Sequence, residues 1–424
     1  MEFDDTTFSL NTSDAEPVVR VDFGLFSNHE IFRQSVVYNN PEIGGKGGLH
    51  VPDISGKDAA EPAAGGVMDR HLGAIEKQVC ATCHDTNGRC PGHFGHITLV
   101  EPVFHIGLLN FLKDVFSCVC FKCAKLLISE QDPAVLRLMD DGPKRLKKMK
   151  DLCAKKKICD ADGVGCGMPV QKYTIDKSNA SVNLLVSPHK SEDKGSKVQQ
   201  SSLTPKNCYD LASRISDETL ISLGIKPLVS HPKDAIILNL PVPPIQVRPS
   251  VRCDSYSSGI KEDDLTHKLL SIITSNISLQ HGKGGNSLVR RGTSSDDYLL
   301  LQFHVATYIA NDIEGLPKSL QKNKKATKSI SERFKGKKGR FRGNLMGKRV
   351  EFTARSVITS DPYVDITQVG VPLDVAMKLT VPVVVTERNR LHLQSLVDNG
   401  RTRYPGANSI SKPTIGPNGE SVTK

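Results

Sequence analysis

The chain has 424 residues, of which 38% are hydrophobic, and its formal net charge at pH 7 is +10. This length indicates about three domains, and the apolar content excludes a wholly disordered chain. No window of about 18 uncharged apolar residues occurs, and the N-terminus is acidic, so we expect neither a transmembrane helix nor a secretory signal. The eleven cysteines therefore indicate metal ligands in a reducing compartment rather than disulfides.

The first cysteine group has the spacing of a metal site. Cys80, Cys83, Cys90 and His93 form the pattern C-x2-C-x6-C-x2-H. Each close pair can reach one ion from a tight turn, and two pairs complete a tetrahedron, as in structural zinc sites. His96 competes with His93 as the fourth ligand, but the doubled x2 spacing favours His93. We therefore predict a closed, structural zinc site here.

An apolar run from Val100 to Phe116 follows and predicts a helix. Beyond it, Cys120 and Cys123 form a second half-site. Its partners must come from three cysteines that lie about 30 to 40 residues further along the chain. These are Cys153, Cys159 and Cys166. Spacing alone leaves the choice among them open.

The middle of the chain changes character several times. Residues 176–202 are rich in Ser, Lys, Asn and Gln and predict a polar insertion. Ala235 to Leu240 predicts a short strand before a proline-rich stretch. Two helical patterns come next, the first from Asp263 and the second from Asp296 to Ile313. They fit an antiparallel hairpin and, equally well, two helices in a globular core.

The positive charge is concentrated near the end of the chain. Fourteen Lys and Arg residues lie between Lys318 and Arg355, against Glu332 and Glu351, which gives +12 in 38 residues and leaves −2 for the remainder. Glycines between the cations keep the backbone thin enough to follow a phosphate backbone, which favours nucleic-acid binding over a solvated charge run. After Val350, short β-branched runs predict a strand-rich region.

The run RFRGNLMGKRVEFTARSVITSDP, residues 340–362, resembles the largest subunit of multisubunit DNA-directed RNA polymerases, with the eukaryotic RNA polymerase II type most similar. CATCHDTNGRCPGHFGHI and DGVGCGMP resemble the zinc motifs of that family. Further segments match in the same order, among them VPPIQVRPSV, LLQFHVATYIANDI, VGVPLDVAMKLTVPVVVT and YPGAN. The resemblance covers nearly the whole chain, and its shortened second zinc loop is compatible with an origin in a large DNA virus.

The resemblance implies two zinc ions and a set of phosphate contacts. The implied zinc ligands are Cys80, Cys83, Cys90 and His93 for the first ion and Cys120, Cys123, Cys159 and Cys166 for the second. This choice leaves Cys153 out. The positions that match residues facing template-strand or hybrid phosphates in the family are Lys335, Lys337, Arg342, Lys348, Arg349 and Arg355.

The resemblance also implies an irregular, multi-domain α+β fold. Its predicted parts are an N-terminal clamp core (1–77), a zinc-binding clamp head (78–175), clamp core with a polar insertion and lid (176–262), an antiparallel helical hairpin or clamp coiled coil (263–313), a rudder and basic switch segment (314–355), and the strand-rich start of the active-site barrel module (356–424).

The implied activity is nucleotidyl transfer from NTPs to RNA on a DNA template. The family holds its catalytic Mg²⁺ with an Asn-Ala-Asp-Phe-Asp-Gly-Asp loop, which does not occur in these 424 residues. We therefore expect a fragment or one piece of a split subunit, without catalytic residues of its own. Expected partners are template DNA, the RNA–DNA hybrid, the second-largest subunit and smaller subunits, with no membrane. The expected location is the nucleus, or a virion or cytoplasmic factory for a viral protein.

An alternative hypothesis is a free-standing, zinc-containing nucleic-acid binder that derives from such a subunit and has no polymerase activity. A monomeric DNA-binding protein without polymerase partners would favour it over the clamp of a working enzyme.

Overall fold

The computed structural model describes most of the chain. The described residues are 23–56, 61–75, 78–129, 132, 135, 142–159, 165–177, 182–188, 201–252, 260–284, 293–411, 413–415 and 421–423. The chain divides into two compact units, Met1–Gly336 and Lys337–Lys424. The finer boundaries given above stay predictions.

The first unit mixes helices with small antiparallel sheets, as expected for an α+β fold. Its helices are α1 Asn28–Gln34, α2 Leu109–Phe116, α3 Pro143–Cys153, α4 Pro205–Ser213, α5 Asp217–Ser222, α6 Asp264–Gly284, α7 Thr293–Ile309 and α8 Ile330–Phe334. Its strands are β1 Gly95–Phe104, β2 Gln171–Asp176, β3 Asn183–Pro188, β4 Ser201–Leu203, β5 Ile236–Val242, β6 Val251–Arg252 and β7 Ile260–Lys261. The pairs are β1 with β5, β6 with β7, and β2–β3–β4 in one sheet.

One hydrophobic core lies between the β1–β5 pair and the α6–α7 hairpin. The pairing of β1 with β5 is irregular between Thr98 and Val103, where Pro102 has no N–H to donate. The Asn276 side chain of α6 replaces the missing partners there: it accepts from the Val100 N–H at 2.8 Å and donates to the Thr98 carbonyl at 3.0 Å. The helices therefore complete the strand that they cover.

The second core joins α2, α3 and α4 to the β2–β3–β4 sheet. On α3, Leu146, Met149 and Cys153 are buried at helical spacing. Four of the cysteines predicted as ligands contribute to this core or pack against it. The cysteine-rich residues therefore share one core with the β2–β3–β4 sheet and with α4.

Two predictions for this unit are corrected by the structure. The predicted helix from Val100 to Phe116 begins as a strand, continues as a 3-10 turn at Ile106–Leu108 and becomes α-helical only at Leu109. A continuous apolar run does not distinguish a buried strand from a helix. Pairing with β5 makes the first part of this run a strand. The predicted polar insertion contains β3, where Leu184 and Val186 are buried on one face. Residues 178–181 and 189–200 of that insertion lie outside the described residues.

The second unit contains little regular structure among its described residues. It has a π-helical turn at Phe341–Leu345, helices α9 Leu373–Lys378 and α10 Arg390–Asn399, and a hairpin of β8 Pro413–Ile415 and β9 Ser421–Thr423. Apart from this hairpin, the residues that the structure describes after Val350 form no strands, in contrast to the strand-rich region predicted there. The Asn389 side chain bonds the Val384 carbonyl and the Thr386 N–H, so those groups have a local partner instead of a strand.

No helix in the part of the chain that the structure describes is long and apolar enough to cross a membrane.

Candidate metal centres and nucleic-acid interface

The structure brings the first four predicted ligands together. Cys80, Cys83, Cys90 and His93 place one ligand atom each within 4.8 Å of the others. Cys80 and Cys90 are buried, and the Cys90 Sγ lies 3.8 Å from the His93 Nε2. His96, the competing ligand, lies in β1 and points away from this group. Its Nδ1 lies 2.7 Å from the hydroxyl oxygen of Ser35, the residue that follows α1.

The second group also converges. The ligand atoms of Cys120, Cys123, Cys159 and Cys166 lie within 4.8 Å of one another. The Sγ–Sγ distances are 3.4 Å between Cys120 and Cys166 and 3.7 Å between Cys123 and Cys159. The Sγ of Cys153 lies 3.8 Å from the Cys118 carbonyl oxygen instead. The structure thus groups the same four residues that the resemblance selects.

The two C-x2-C turns have the same backbone design. In the first, the Cys80 N–H donates to Asp85 and the Cys80 carbonyl accepts from the His84 N–H. In the second, Cys120 bonds Lys125 and Ala124 in the same way. His84 and Ala124 both have a positive φ, 59° and 57°, which closes each turn after the second cysteine. The repeated turn presents two sulfurs to one point.

The donor sets fit a tetrahedral zinc ion. Two Zn–S bonds of about 2.3 Å at the tetrahedral angle place the sulfurs about 3.8 Å apart. The observed distances of 3.4 and 3.7 Å lie close to this separation. Backbone N–H groups of Thr82 and Gly92 donate to Cys80 and Cys90 sulfur at 3.4 Å each, as partners that orient ligands. Four protein donors leave no open position for substrate.

The thiols of the second group differ in acidity. The backbone N–H of Met168, together with the Cys120 thiol, holds the pKa of Cys166 down to about 7. Burial raises the pKa of Cys120 to about 12. Such a cluster gives up one proton readily but needs a cation before all four sulfurs can ionise. A divalent metal ion supplies that charge, because zinc binds thiolates.

The six predicted phosphate contacts are all exposed. Lys335 lies in the first unit, whereas Lys337 and the others lie in the second. In the second unit, the Met346 N–H donates to the Phe341 carbonyl at 2.8 Å and closes the π-helical turn that contains Arg342. Such turns often mark functional sites. Exposed cations on a glycine-rich backbone can contact phosphates without reading base sequence.

Three cations of the basic segment have acidic partners in the first unit. Lys335 and Lys318 lie 3.3 Å from the two carboxylate oxygens of Asp312. Arg333 donates to Asp263 at the start of α6 and to the Val247 carbonyl. Charge counting from the sequence missed these pairs, because it does not show which charges meet in the fold; Asp263, for example, lies 70 residues before Arg333. Arg333 therefore fixes the base of the hairpin.

Comparison with known proteins places the chain in a family. Residues 15–345 match RNA polymerase Rpb1, domain 1, and residues 347–418 match RNA polymerase Rpb1, domain 2. The chain is 46% identical over 424 residues to DNA-directed RNA polymerase subunit 1 of Acanthamoeba polyphaga mimivirus. That match covers 98% of this chain and 28% of the relative. The chain belongs to the RNA polymerase Rpb1 family, which confirms the resemblance found in the sequence.

Proposed function

We propose that this chain is the clamp and switch portion of the largest subunit of a DNA-directed RNA polymerase. It grips template DNA and the RNA–DNA hybrid while the complete enzyme transfers nucleotides from NTPs to RNA. The observation that carries this proposal is the family match over residues 15–345 and 347–418. The chain spans 28% of the length of the viral relative, so the activity of the whole enzyme is part of this proposal.

The two cysteine groups each hold one structural zinc ion in this proposal. Their four-donor geometry and short Sγ–Sγ distances support it. The zinc ions connect loops that are distant in sequence, from Cys120 to Cys166 in the second group. They stabilise a loop-rich module and take no part in the chemistry, since no coordination position is open.

The basic segment supplies the grip. Lys335, Lys337, Arg342, Lys348, Arg349 and Arg355 contact backbone phosphates of template DNA and hybrid. Arginine offers a planar fork for bidentate contacts, and lysine a mobile point charge. Phosphate contacts hold any sequence equally well, as a polymerase moving along its template requires.

The catalytic Mg²⁺ belongs to another part of the enzyme in this proposal, bound by aspartates outside these 424 residues. The second-largest subunit and smaller subunits complete the active centre. The viral source of the relative favours a virion or cytoplasmic factory over the nucleus. Within the chain, residues 242–256 correspond to the lid, α6–α7 to the clamp coiled coil, and residues 312–328 to the rudder.

The test neutralises two arginines in the assembled polymerase. Arg342→Ala with Arg349→Ala removes two phosphate contacts, so the salt concentration that dissociates elongation complexes should fall, and the salt slope should decrease by about 2. The matched control is Arg388→Ala with Arg390→Ala, two exposed arginines of the same unit outside the basic segment. Equal salt sensitivity of both variants and the unchanged enzyme would refute the phosphate role.

A second outcome concerns the complex itself. Purification of the tagged protein from its native source should yield a second large subunit and the triple-aspartate polypeptide. A monomeric zinc protein that binds DNA without those partners would support the free-standing binder instead.

A further inference from the structure

Side chains at the base of the α6–α7 hairpin hold the loop formed by residues 319–327. We propose that Asn311, together with Asp264, is a positioning residue of the polymerase that sets the shape of this loop before nucleic acid binds. The inference rests on the proposed function, in which residues 312–328 correspond to the rudder. It deepens that function by naming the groups that fix the segment.

Packing of apolar side chains does not explain the shape of this loop. Within it only Thr327 is buried, and its one large apolar side chain, Leu320, is 56% exposed. The lysines of its tip, Lys322, Lys324 and Lys325, are exposed as well. A segment that buries so little apolar surface needs hydrogen bonds to offset the entropy of holding one conformation.

Asn311 closes the base of the loop. It lies two residues after α7 and is only 3% exposed. Its Nδ2 donates to the Ser319 carbonyl at 3.0 Å and to the Thr327 carbonyl at 2.9 Å, and its Oδ1 accepts from the Ser319 N–H at 2.8 Å. One buried amide therefore bonds both ends of the loop and uses both of its N–H groups.

Backbone hydrogen bonds continue from this base towards the tip. Leu320 and Ala326 form an antiparallel bridge, and the Gln321 N–H donates to the Lys325 carbonyl at 2.7 Å. Lys324 has a φ of 60°, the left-handed conformation of a tight turn. The loop is therefore a small hairpin with a defined turn, although it has no core of its own.

Asp264 joins the loop to the other helix of the hairpin. It is the first residue of α6, and its carboxylate accepts from the Gln321 Nε2 and, at 2.9 Å, from the Lys328 N–H. Since Asn311 follows α7, both helices hold the loop. A segment that is already ordered loses less conformational entropy on binding, and its competent fraction stays close to one.

The test uses the full chain and the assembled polymerase. Asn311→Ala removes the bonds at the base of the loop, whereas Thr327→Val removes only the hydroxyl that donates to the Ser319 carbonyl at 3.2 Å. Thr327→Ser keeps that hydroxyl. The matched control is Thr274→Val, which removes an exposed hydroxyl of α6 that donates to the Leu270 carbonyl. None of these four variants changes the charge of the chain.

Hydrogen exchange of residues 319–327 in the full chain should accelerate about fivefold in Thr327→Val, the factor that one hydrogen bond contributes to the opening equilibrium. It should accelerate more in Asn311→Ala and stay unchanged in Thr327→Ser and Thr274→Val. Unchanged exchange of α6 shows that the first unit is folded, and Thr327→Val decides alone should Asn311→Ala fail to fold.

In the assembled polymerase, Asn311→Ala should shorten the half-life of elongation complexes about threefold, and Thr327→Val should shorten it less. The salt slope should stay unchanged in both, because neither removes a charge. The half-life should be kept in Thr327→Ser and in Thr274→Val. Restoration by serine is the result that ties the effect to the hydroxyl rather than to a general loss of stability.

Three results would overturn the positioning role. Exchange that stays slow in Asn311→Ala would mean that the loop keeps its shape without this side chain. Faster exchange with an unchanged half-life in both loss variants would mean that the shape does not matter to the polymerase. An equally short half-life in Thr274→Val would mean that the effect is not specific to the loop.

Arg342→Ala with Arg349→Ala runs in parallel and separates this inference from the proposed function. A lower salt slope in the arginine variant, with an unchanged half-life in the loop variants, would leave the proposed function intact and overturn the positioning role. An unchanged slope in the arginine variant, with a shorter half-life in the loop variants, would refute the phosphate role of the basic segment and support the positioning role.

Discussion

At the scale of single residues, Arg248 shows what a sequence pattern conceals. Its side chain is fully buried at the base of the α6–α7 hairpin. It donates to the Pro243 carbonyl at 3.2 Å, to the Thr266 hydroxyl at 3.2 Å and to the Val67 carbonyl. Burial lowers its pKa to about 10, so the guanidinium remains charged at pH 7. Nothing in its sequence neighbourhood distinguishes it from a surface arginine, because its burial depends on distant partners such as Val67, 181 residues earlier in the chain.

A second buried cation connects the two helices of the hairpin. Lys268 of α6 donates to the Thr307 hydroxyl at 2.9 Å and to His304 Nδ1 at 3.3 Å on α7. It also lies 5.3 Å from the centre of the Phe303 ring. Burial, with the Lys268 charge, lowers the pKa of His304 to about 4, and burial lowers that of Lys268 to about 8. His304 is thus held neutral as an acceptor.

This arrangement predicts a loss of stability in acid. His304 takes up a proton near pH 6.5 in the unfolded chain but only near pH 4 in the folded chain. Its contribution to the free energy of unfolding is therefore fully present above pH 6.5 and is lost as the pH falls towards 4. For the half-buried ring we expect a loss of about 1 kcal/mol at pH 5 relative to pH 7, after allowing for solvent screening. His304→Gln keeps an acceptor for Lys268 and should remove this loss. Guanidinium unfolding of both proteins at the two pH values measures it.

Zinc release in acid affects both proteins alike, so the difference between them isolates the histidine. The same drop in stability for His304→Gln and the unchanged chain would show that His304 is not the group responsible.

At the scale of elements, the metal sites could be predicted best where ligands are close in sequence. The C-x2-C turns follow from spacing, because a short turn allows few ways to present two sulfurs. The partners of Cys120 and Cys123 did not follow, since spacing alone left Cys153, Cys159 and Cys166 open. In the structure, Cys153 is buried on the inner face of helix α3, whereas the Cys166 sulfur lies beside that of Cys120. The face of α3 on which Cys153 lies therefore excludes it from the metal site.

A pair of matched variants tests this assignment. Cys166→Ser removes one of the four proposed zinc ligands of the second group, so the full chain should retain about one zinc ion instead of about two. Cys153→Ala removes a buried thiol that contacts the Cys118 carbonyl, so zinc content should stay at about two while stability falls by about 1 kcal/mol. The zinc content of each protein after gel filtration, measured by elemental mass spectrometry, distinguishes the two variants.

The reverse pattern, with zinc lost from Cys153→Ala and kept in Cys166→Ser, would contradict the ligand set. A single zinc ion in the unchanged chain would show that one of the two cysteine groups does not bind metal.

Secondary structure could be predicted from the sequence where the backbone hydrogen bonds of a segment lie within that segment. Helices α6 and α7 lie together as a hairpin and also pack in the core beside β1 and β5, so both interpretations that the pattern allowed describe part of the structure. Strands depend on distant partners: β1 pairs with β5 more than 130 residues later, and the apolar run at Val381 finds no such partner among the described residues. The sequence analysis therefore missed the strand β1 and predicted strands near Val381 that the described residues do not form.

At the scale of the whole molecule, the two units differ in how they cover apolar side chains. The first unit buries two extended clusters. The described part of the second unit leaves large side chains uncovered, with Val357 88% and Ile366 99% exposed. Soluble monomers rarely present so much apolar surface without an interaction partner. If the proposed function is correct, we expect this apolar surface to be an interface of the assembled polymerase.

Hydrogen exchange compares the chain alone with the assembled polymerase. We expect residues 356–386 to exchange within seconds in the isolated chain, because α9 is the only helix there and Val357 and Ile358 are exposed. In the complex, burial against other subunits should slow their exchange at least tenfold. Helix α6 is the internal control: Leu269, Ile272 and Ile273 are already buried within the first unit, so its exchange should change little. Equally fast exchange of residues 356–386 in both samples would mean that this apolar surface is not an interface of the enzyme.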